Sequence, residues 1–179
     1  TALNTYLKTN YPIEFFLSLL RLSKYEPDTN STVKEIVNEL RSFKLPLRPP
    51  HLLISDLDFS IKDNSILFGL QHIKGISDKT IEKLAAFKSE YKTKFDVFLA
   101  ANQLKIDRRI MNALIFSGSM DDQIGKGNRF RIYLEYILWN FLKDKEKQYA
   151  IDLAEKNNYD LMEIVKKLNS EVKNEKGKP

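Results

Sequence analysis

The chain reads LFGLQHIKGISDKTIEKLAAFK from Leu67 to Lys88, and this stretch predicts a helix-hairpin-helix motif. A short apolar helix enters a tight turn over residues 74–77, which we call the first hairpin, and a second helix begins at Asp78. The apolar residues predicted to face inward in these two helices are Leu70, Ile73, Ile81 and Leu84.

The first hairpin has the chemistry of a phosphate-binding turn. Gly75 lacks a Cβ, so the chain can reverse there and bring its peptide groups close to a ligand. The Ile76 side chain is expected to pack against the two helices and anchor the turn. The helix that follows presents unpartnered N–H groups and the positive end of its dipole. The residues predicted to contact phosphate here are Lys74, Gly75, Ile76, Ser77, Lys79, Thr80 and Lys83. The alternative is a helix-turn-helix corner with a solvated, Lys-rich face.

Composition limits the class of protein. The 179 residues are 42% hydrophobic, which is enough for one or two small cores and leaves little room for a large enzyme. There is no cysteine, so a reducing cytoplasm is the expected compartment. The most apolar run, residues 13–22, is shorter than the ~20 residues that a bilayer requires, so no membrane partner is expected. A net charge of +5 suits a polyanionic partner.

Three helices are predicted in residues 1–45, a segment that we expect to pack as one helical unit. The first covers Leu3 to Thr9, the second begins at Pro12, and the third begins with a capping box formed by Thr32 and Glu35. The predicted buried residues are Ile13, Phe16, Leu17 and Leu20 in the second helix and Val33, Ile36, Val37 and Leu40 in the third.

Residues 46–68 read as a proline-rich connection followed by a β-hairpin. Pro46, Pro49 and Pro50 are expected to prevent regular structure. Apolar residues then alternate with polar ones on both sides of an Asp63-Asn64 turn, and Gly69 lies where the second strand meets the helical motif.

A second copy of the motif is predicted about thirty residues later. Its first helix contains Phe95, Phe98 and Leu99, and residues 104–107 connect it to a helix capped by Asp107 and ended by Gly118. The residues predicted to be buried in that second helix are Ile110, Leu114 and Ile115. We call Leu104–Asp107 the second hairpin, and its predicted phosphate contacts are Lys105, Arg108 and Arg109. Residues 69–122 would thus form a tandem unit. Because the second hairpin has no glycine, we expect the first to contribute more to binding.

Residues 123–179 are predicted to be helical and have no assigned role. One helix should bury a face made by Phe130, Leu134, Ile137 and Leu138, with Phe141 and Leu142 extending it, and with Trp139 as a core anchor. Another should cover Leu161 to Leu168. Residues 125–131, GKGNRFR, lack the ending of a nucleotide-binding loop, so a solvated loop with Arg129 and Arg131 near phosphate is preferred.

No catalytic or metal-binding residue is predicted. Catalysis by two metal ions needs converging carboxylates. Asp56 and Asp58 lack a third carboxylate, so both are assigned to capping of the turn and the strand entry. His51 and His72 have no paired ligand spacing. No cofactor is therefore expected for this chain.

The order of these segments resembles the C-family bacterial replicative DNA polymerases, the DNA polymerase III alpha subunits. The resemblance covers about residues 3–122. It is carried by YLKTNYPIEFFLSLL at residues 6–20, SDLDFSIKDNSILFGLQHIKGIS at residues 55–77 and KFDVFLAANQLKIDRRIMNALIFSGSMD at residues 94–121. The family usually has a glycine where this chain has Ser77.

The resemblance implies a mainly α, multi-helical fold with a small β-hairpin and a tandem helix-hairpin-helix unit. It implies a non-catalytic piece of a longer polymerase that binds duplex DNA non-specifically through phosphates. Mg²⁺ and the catalytic aspartates would belong to the parent nucleotidyltransferase, with the aspartates upstream of residue 1. The implied partners are duplex DNA, the remainder of the polymerase chain and other replication proteins. The alternative is a structural or protein-interaction domain of a replication protein without direct DNA contact.

Overall fold

The structure is a computed structural model that describes residues 2–76, 78–87, 91, 93–121, 128–157, 163 and 166. Those residues form eight α-helices and one small three-stranded sheet, so the mainly α, multi-helical fold is confirmed. The chain divides into two compact units, Thr1–Lys88 with Ser117–Ser119, and Ser89–Phe116 with Met120–Pro179. The four segments expected from the sequence, with boundaries near residues 45, 68 and 122, remain predictions. Within the described residues, no helix is both long and apolar enough to cross a bilayer.

The first unit contains α1 (Ala2–Asn10), α2 (Pro12–Leu22), α3 (Thr29–Ser42) and α4 (Asp78–Ala85). Pro12 opens α2 as predicted, because its missing N–H is not needed in the first turn.

The capping box predicted at Thr32 and Glu35 is wrong, since the N-cap of α3 lies four residues earlier. Asp28 is the N-cap, and its carboxylate accepts the Ser31 N–H at 3.1 Å. Thr32 lies inside the helix, where its hydroxyl donates to the Asp28 carbonyl at 3.0 Å. Asp28 can cap the helix because it directly precedes the first helical residue, which is where an acceptor reaches the open N–H groups.

The sheet contains β1 (Leu47–Arg48), β2 (Ser60–Lys62) and β3 (Ser65–Leu67) in the order β1-β3-β2. The β2–β3 pair is the predicted hairpin, and Asp63 and Asn64 turn it with φ of 50° and 53°, as a type I′ turn requires.

The expectation that the prolines prevent regular structure is wrong for β1, which runs parallel to β3. Pro46 contributes to this pairing through its carbonyl, which accepts the Ile66 N–H at 3.0 Å. An edge strand tolerates flanking prolines because only one side of it must be paired.

The core of the first unit lies between α2, α3 and the sheet. Its buried members are Ile13, Phe16, Leu20, Ile36, Leu40, Phe59 and Ile66, while Leu17 and Val33 are half-buried against it. Arg21 on α2 donates to the carbonyl of Phe59 at 2.7 and 2.9 Å and so ties that helix to the entry of β2.

Gly69 is required by a close backbone approach and not by an unusual backbone angle, since its φ is −76°. A Cβ at this position would lie 2.4 Å from the carbonyl carbon of Asp58. The glycine therefore lets the chain pass tightly over the loop before β2 as it enters the first helix-hairpin-helix motif.

The second unit contains α5 (Lys94–Gln103), α6 (Arg108–Phe116), α7 (Arg129–Phe141) and α8 (Asp144–Asn157). Trp139 is fully buried, as predicted, and its ring stacks on Phe95 with the centroids 5.7 Å apart. In α6, Met111 is buried where the sequence predicted Ile110, which is half-buried. The helix predicted at Leu161–Leu168 lies outside the described residues, apart from Glu163 and Lys166, which are both helical.

The predicted buried face of α7 is wrong. Phe130 and Phe141 are 63% and 80% exposed, and the residues that α7 buries are Ile132, Glu135, Tyr136 and Trp139. This helix carries apolar residues on two faces, and packing against α5 and α6 selects the face with Tyr136 and Trp139. Glu135 can be buried because Lys94 on α5 places its Nζ 2.6 Å from the carboxylate.

Candidate nucleic-acid interface

The first hairpin follows a short 3-10 helix, Leu70–His72, where the sequence predicted an α-helix. The carbonyl of Ile73 accepts the N–H of Ile76 at 3.1 Å and closes a four-residue turn. Gly75 occupies the third position of that turn with φ of 98°, a conformation that disfavours residues with a Cβ. The predicted role of Gly75 in reversing the chain is thus visible in its backbone.

The base of the first hairpin is held by the loop before β2. The N–H groups of Leu70 and Gln71 donate to the carbonyls of Asp56 and Leu57 at 3.1 and 2.9 Å. Leu70 itself is 1% exposed. The turn is therefore carried by a segment that is hydrogen-bonded to the rest of its unit.

His72 adds a polar contact to this base. Its ring stacks on Phe59 with centroids 4.3 Å apart, and its Nε2 lies 2.7 Å from Oδ1 of Asp58. The same Oδ1 accepts the Phe59 N–H at 2.8 Å, in keeping with the capping role assigned to Asp58. Burial raises the pKa of Asp58, but the hydrogen bonds from His72 and Phe59, helped by the charges of His72 and Lys24, leave that pKa below its ordinary value.

The residues assigned to the first hairpin differ in their exposure to solvent. Lys74, Lys79 and Lys83 are exposed, as is Gly75, so they lie where a ligand can reach them. Thr80 is 5% exposed, and its side chain is packed inside the unit instead of facing solvent. Ile76 is half-buried, as expected for a residue that anchors the turn, and Ser77 lies outside the described residues.

The second hairpin reverses the chain by another route. Helix α5 ends in a Schellman motif, in which the Lys105 N–H donates to the Asn102 carbonyl at 3.2 Å and the Ile106 N–H to the Ala101 carbonyl at 2.9 Å. Lys105 adopts the left-handed conformation of this motif, with φ of 50°. The hairpin thus makes its turn without the glycine that usually occupies such a position.

The two hairpins share a repeat of thirty residues. Gly75 and Lys105 are each left-handed, are each followed by an isoleucine, and each precede the first residue of a helix by three positions. Sequence reasoning missed the left-handed Lys105, because lysine rarely adopts that conformation. One signal in the sequence could have revealed it. Gly75-Ile76 and Lys105-Ile106 lie at the same distance before the start of a helix, so the two turns could be matched.

The second hairpin presents three exposed cations, Lys105, Arg108 and Arg109. The carboxylate of Asp107 caps α6 as predicted, since its Oδ1 accepts the Arg109 N–H at 2.7 Å. Tyr136 on α7 is buried, with 2% of its surface exposed. The pKa of Tyr136 is raised, mainly because the side chain is buried, and the negative charge of Asp107 adds to this shift. A hydrogen bond with Asn140 and the positive charge of Arg108 lower the pKa but do not cancel the effect of burial.

Other candidate residues have structural partners. Arg129, considered for phosphate contact, donates to Asp121 through Nε at 2.8 Å and to the Phe116 carbonyl at 3.2 Å. His51 Nδ1 accepts the Leu53 N–H at 3.2 Å. Among the described residues, no three of the His, Cys, Asp and Glu side chains gather as metal ligands.

Comparison with known proteins agrees with this geometry. Residues 44–130 match a family model described as a helix-hairpin-helix motif. The DNA polymerase III subunit alpha of Deinococcus radiodurans is 32% identical over 128 residues, which cover 68% of this chain and 9% of that protein. The resemblance to C-family replicative polymerases is therefore confirmed.

Two further relatives carry the same name. The DNA polymerase III subunit alpha of Haemophilus influenzae is 31% identical, and that of Thermus aquaticus is 25% identical. In each case the match covers 65% of this chain and 10% of the relative. The matched part of the chain thus spans about a tenth of the length of these alpha subunits.

Proposed function

We propose that this chain binds duplex DNA without sequence preference, as the non-catalytic helix-hairpin-helix part of a replicative polymerase of the DNA polymerase III alpha type. The observation that carries the proposal is the repeated turn, in which a left-handed residue three positions before a helix stands beside exposed cations. The family match over residues 44–130 supports it.

Phosphate is the group that such a turn suits. At the first hairpin the exposed turn at Gly75 lies just before α4, whose start carries the positive end of a helix dipole. Lysine and arginine side chains add charge that is attracted to any phosphate, whatever the base. These contacts fix the position of a duplex but carry no sequence information.

The first hairpin is proposed to contribute more than the second. At the second hairpin, Asp107 already occupies the start of α6 and accepts the Arg109 N–H, so an incoming phosphate meets a carboxylate. Lys105, Arg108 and Arg109 must then supply attraction mainly through their side chains. Gly75, in contrast, offers an exposed turn with no side chain of its own.

The proposal assigns the remaining chemistry to other parts of a polymerase. Mg²⁺ and nucleotide transfer would belong to the parent protein in the cytoplasm, whose remaining chain and further replication proteins would be the protein partners. The chain alone should therefore give no extension of a primed template with Mg²⁺ and nucleotides.

Salt dependence of binding tests the proposal. The affinity for duplex DNA, measured by fluorescence anisotropy, should fall as a power of salt concentration because bound phosphates release counterions. The double variant Arg108→Ala/Arg109→Ala should flatten that slope by about one unit for each lost phosphate contact. The matched variant Lys143→Ala/Lys145→Ala removes two exposed charges that belong to neither hairpin and should leave the slope nearly unchanged.

Two outcomes would favour a structural or protein-interaction domain over a DNA-binding one. An affinity that salt hardly changes, or an equal effect of the two double variants, would contradict phosphate binding at the second hairpin. A structural or protein-interaction domain would then be the better assignment.

A further inference from the structure

Three aromatic rings lie together at the junction of α6 and α7. The ring centroids of Phe116 and Tyr133 are 5.3 Å apart, and those of Phe130 and Tyr133 are 6.4 Å apart. Phe116 is 49% exposed and Phe130 is 63% exposed, whereas Tyr133 is half-buried. We call these three residues the aromatic platform.

The platform is fixed in place by an arginine. Arg129, in the first turn of α7, pairs with Asp121 and donates to the carbonyl of Phe116 in the last turn of α6. This contact joins the end of one helix to the start of the other, so Phe116 and Phe130 are held near each other before any ligand arrives. A preformed surface avoids part of the ordering cost of binding.

Two exposed guanidinium groups flank the platform. Phe130 lies between Arg129 and Arg131 in sequence, and both are exposed. Asp121 pairs with Arg129 and Glu135 with Arg131, so the two positive charges are balanced locally. A surface that combines exposed aromatic rings with guanidinium groups suits nucleobases, because each base offers a π-face for stacking and each nucleotide carries a phosphate.

Helix geometry places the platform beside the second hairpin. Arg109 and Phe116 are seven residues apart on α6, so they lie on the same face about 10.5 Å apart. At a rise of about 3.4 Å for each base step, that distance corresponds to about three nucleotides. A strand whose phosphate reaches Arg109 could therefore present a base to Phe116 after a few steps.

We infer that the aromatic platform stacks the unpaired bases of a single-stranded DNA extension whose duplex part lies on the second hairpin. This inference rests on the proposed function. It adds a preference for duplex ends with an overhang, which phosphate contacts alone would not give. The exposed guanidinium groups beside the rings and the position of Arg109 on the same face of α6 favour nucleic acid over an apolar protein surface as the occupant.

The test compares a blunt duplex with the same duplex carrying a four-thymidine overhang at the 3′ or the 5′ end. The parent chain should bind one of the overhang duplexes about tenfold more tightly than the blunt one. The double variant Phe116→Leu/Phe130→Leu should lose this gain and keep its affinity for the blunt duplex. Leucine retains apolar surface but has no ring, so the variant removes stacking specifically.

Three controls show whether a lost overhang gain comes from lost stacking or from a folding defect. Phe141→Leu changes an 80% exposed ring farther along α7 and should keep the gain. The fluorescence of a 2-aminopurine base placed in the overhang should be quenched when the DNA binds the parent chain. It should not be quenched when the DNA binds the double leucine variant. Circular dichroism and thermal melting should show that each variant is folded.

Each contrary outcome has a distinct meaning. Failure of the parent chain to bind blunt duplex would overturn the proposed function itself. Normal blunt binding without an overhang gain, or a gain that survives in the folded double leucine variant, would overturn only the platform. Sedimentation that shows self-association abolished by the same variant would assign the surface to a second copy of the chain and would also overturn the platform.

Discussion

Gly75 holds a backbone conformation that other residues reach only with strain. Its φ is 98°, so Gly75→Val should cost about 1–2 kcal/mol and should also place a branched side chain on the exposed turn. If the turn contacts phosphate, affinity for duplex DNA should fall about tenfold, which corresponds to about 1.4 kcal/mol. Anisotropy titrations on the folded variant measure this.

Gly75→Asn is the matched control for that change. Asparagine tolerates positive φ at this position of a turn, so the variant should keep the fold better than valine while still adding a side chain. Loss of binding by both folded variants would show that the turn is approached closely. A folded Gly75→Val chain that binds as well as the parent would make the first hairpin only a structural corner.

Asp58 should make the stability of the first unit depend on pH in the acidic range. Its pKa is lowered in the folded chain, so its contribution is present above the ordinary value of 3.8 and is lost as the pH falls through the folded value. Asp58→Asn should therefore lower the free energy of unfolding at neutral pH, and the difference from the parent should shrink below pH 3.8. Urea denaturation across this range measures it.

Asp63→Asn provides the comparison for Asp58. The Asp63 carboxylate is 80% exposed in a turn that asparagine also favours, so its replacement should change stability little at any pH. An Asp58→Asn difference that stays constant down to pH 2 would contradict the role of the Asp58 charge.

At the scale of elements, the pairing of α5 with α7 depends on a buried charge. Glu135 is fully buried, Lys94 Nζ lies 2.6 Å from one carboxylate oxygen, and Arg131 lies 3.7 Å from the other, yet neither oxygen accepts a well-directed hydrogen bond. Lys94→Met should destabilise the chain by about 3 kcal/mol or more, because it leaves the carboxylate buried with a weaker partner.

The double variant Lys94→Met/Glu135→Leu completes a thermodynamic cycle. Replacing both charges with apolar groups should restore stability to within about 1 kcal/mol of the parent, since no buried charge remains. Denaturant unfolding of the two single variants and the double variant gives the coupling free energy. Additive losses would mean that the two side chains act independently.

At the scale of the whole molecule, binding should ignore DNA sequence. Main-chain amides and Lys or Arg side chains at phosphates carry no base information, so unlabelled duplexes of random sequence should compete equally for the chain. Competition titrations at one fixed salt concentration measure this. Enrichment of a single site from a random pool would indicate groove reading and would contradict binding through the backbone alone.

Several features were predictable because their causes are local in the sequence. Gly75 and the Asp63-Asn64 pair predicted turns because few residues suit positive φ. Pro12 predicted a helix start and Asp107 a cap, since each acts on N–H groups within a few residues of itself. The order of such signals was enough to give the mainly α fold and the resemblance to the polymerase family.

The tertiary structure alone decided features that depend on residues distant in the sequence. Helix α7 has two apolar faces, and only packing against α5 and α6 selects the one with Tyr136 and Trp139. Strand β1 exists because β3, almost twenty residues later, offers partners for its backbone. Chain neighbours specify turns and caps within a few residues, whereas burial and pairing depend on groups that meet only when the chain folds.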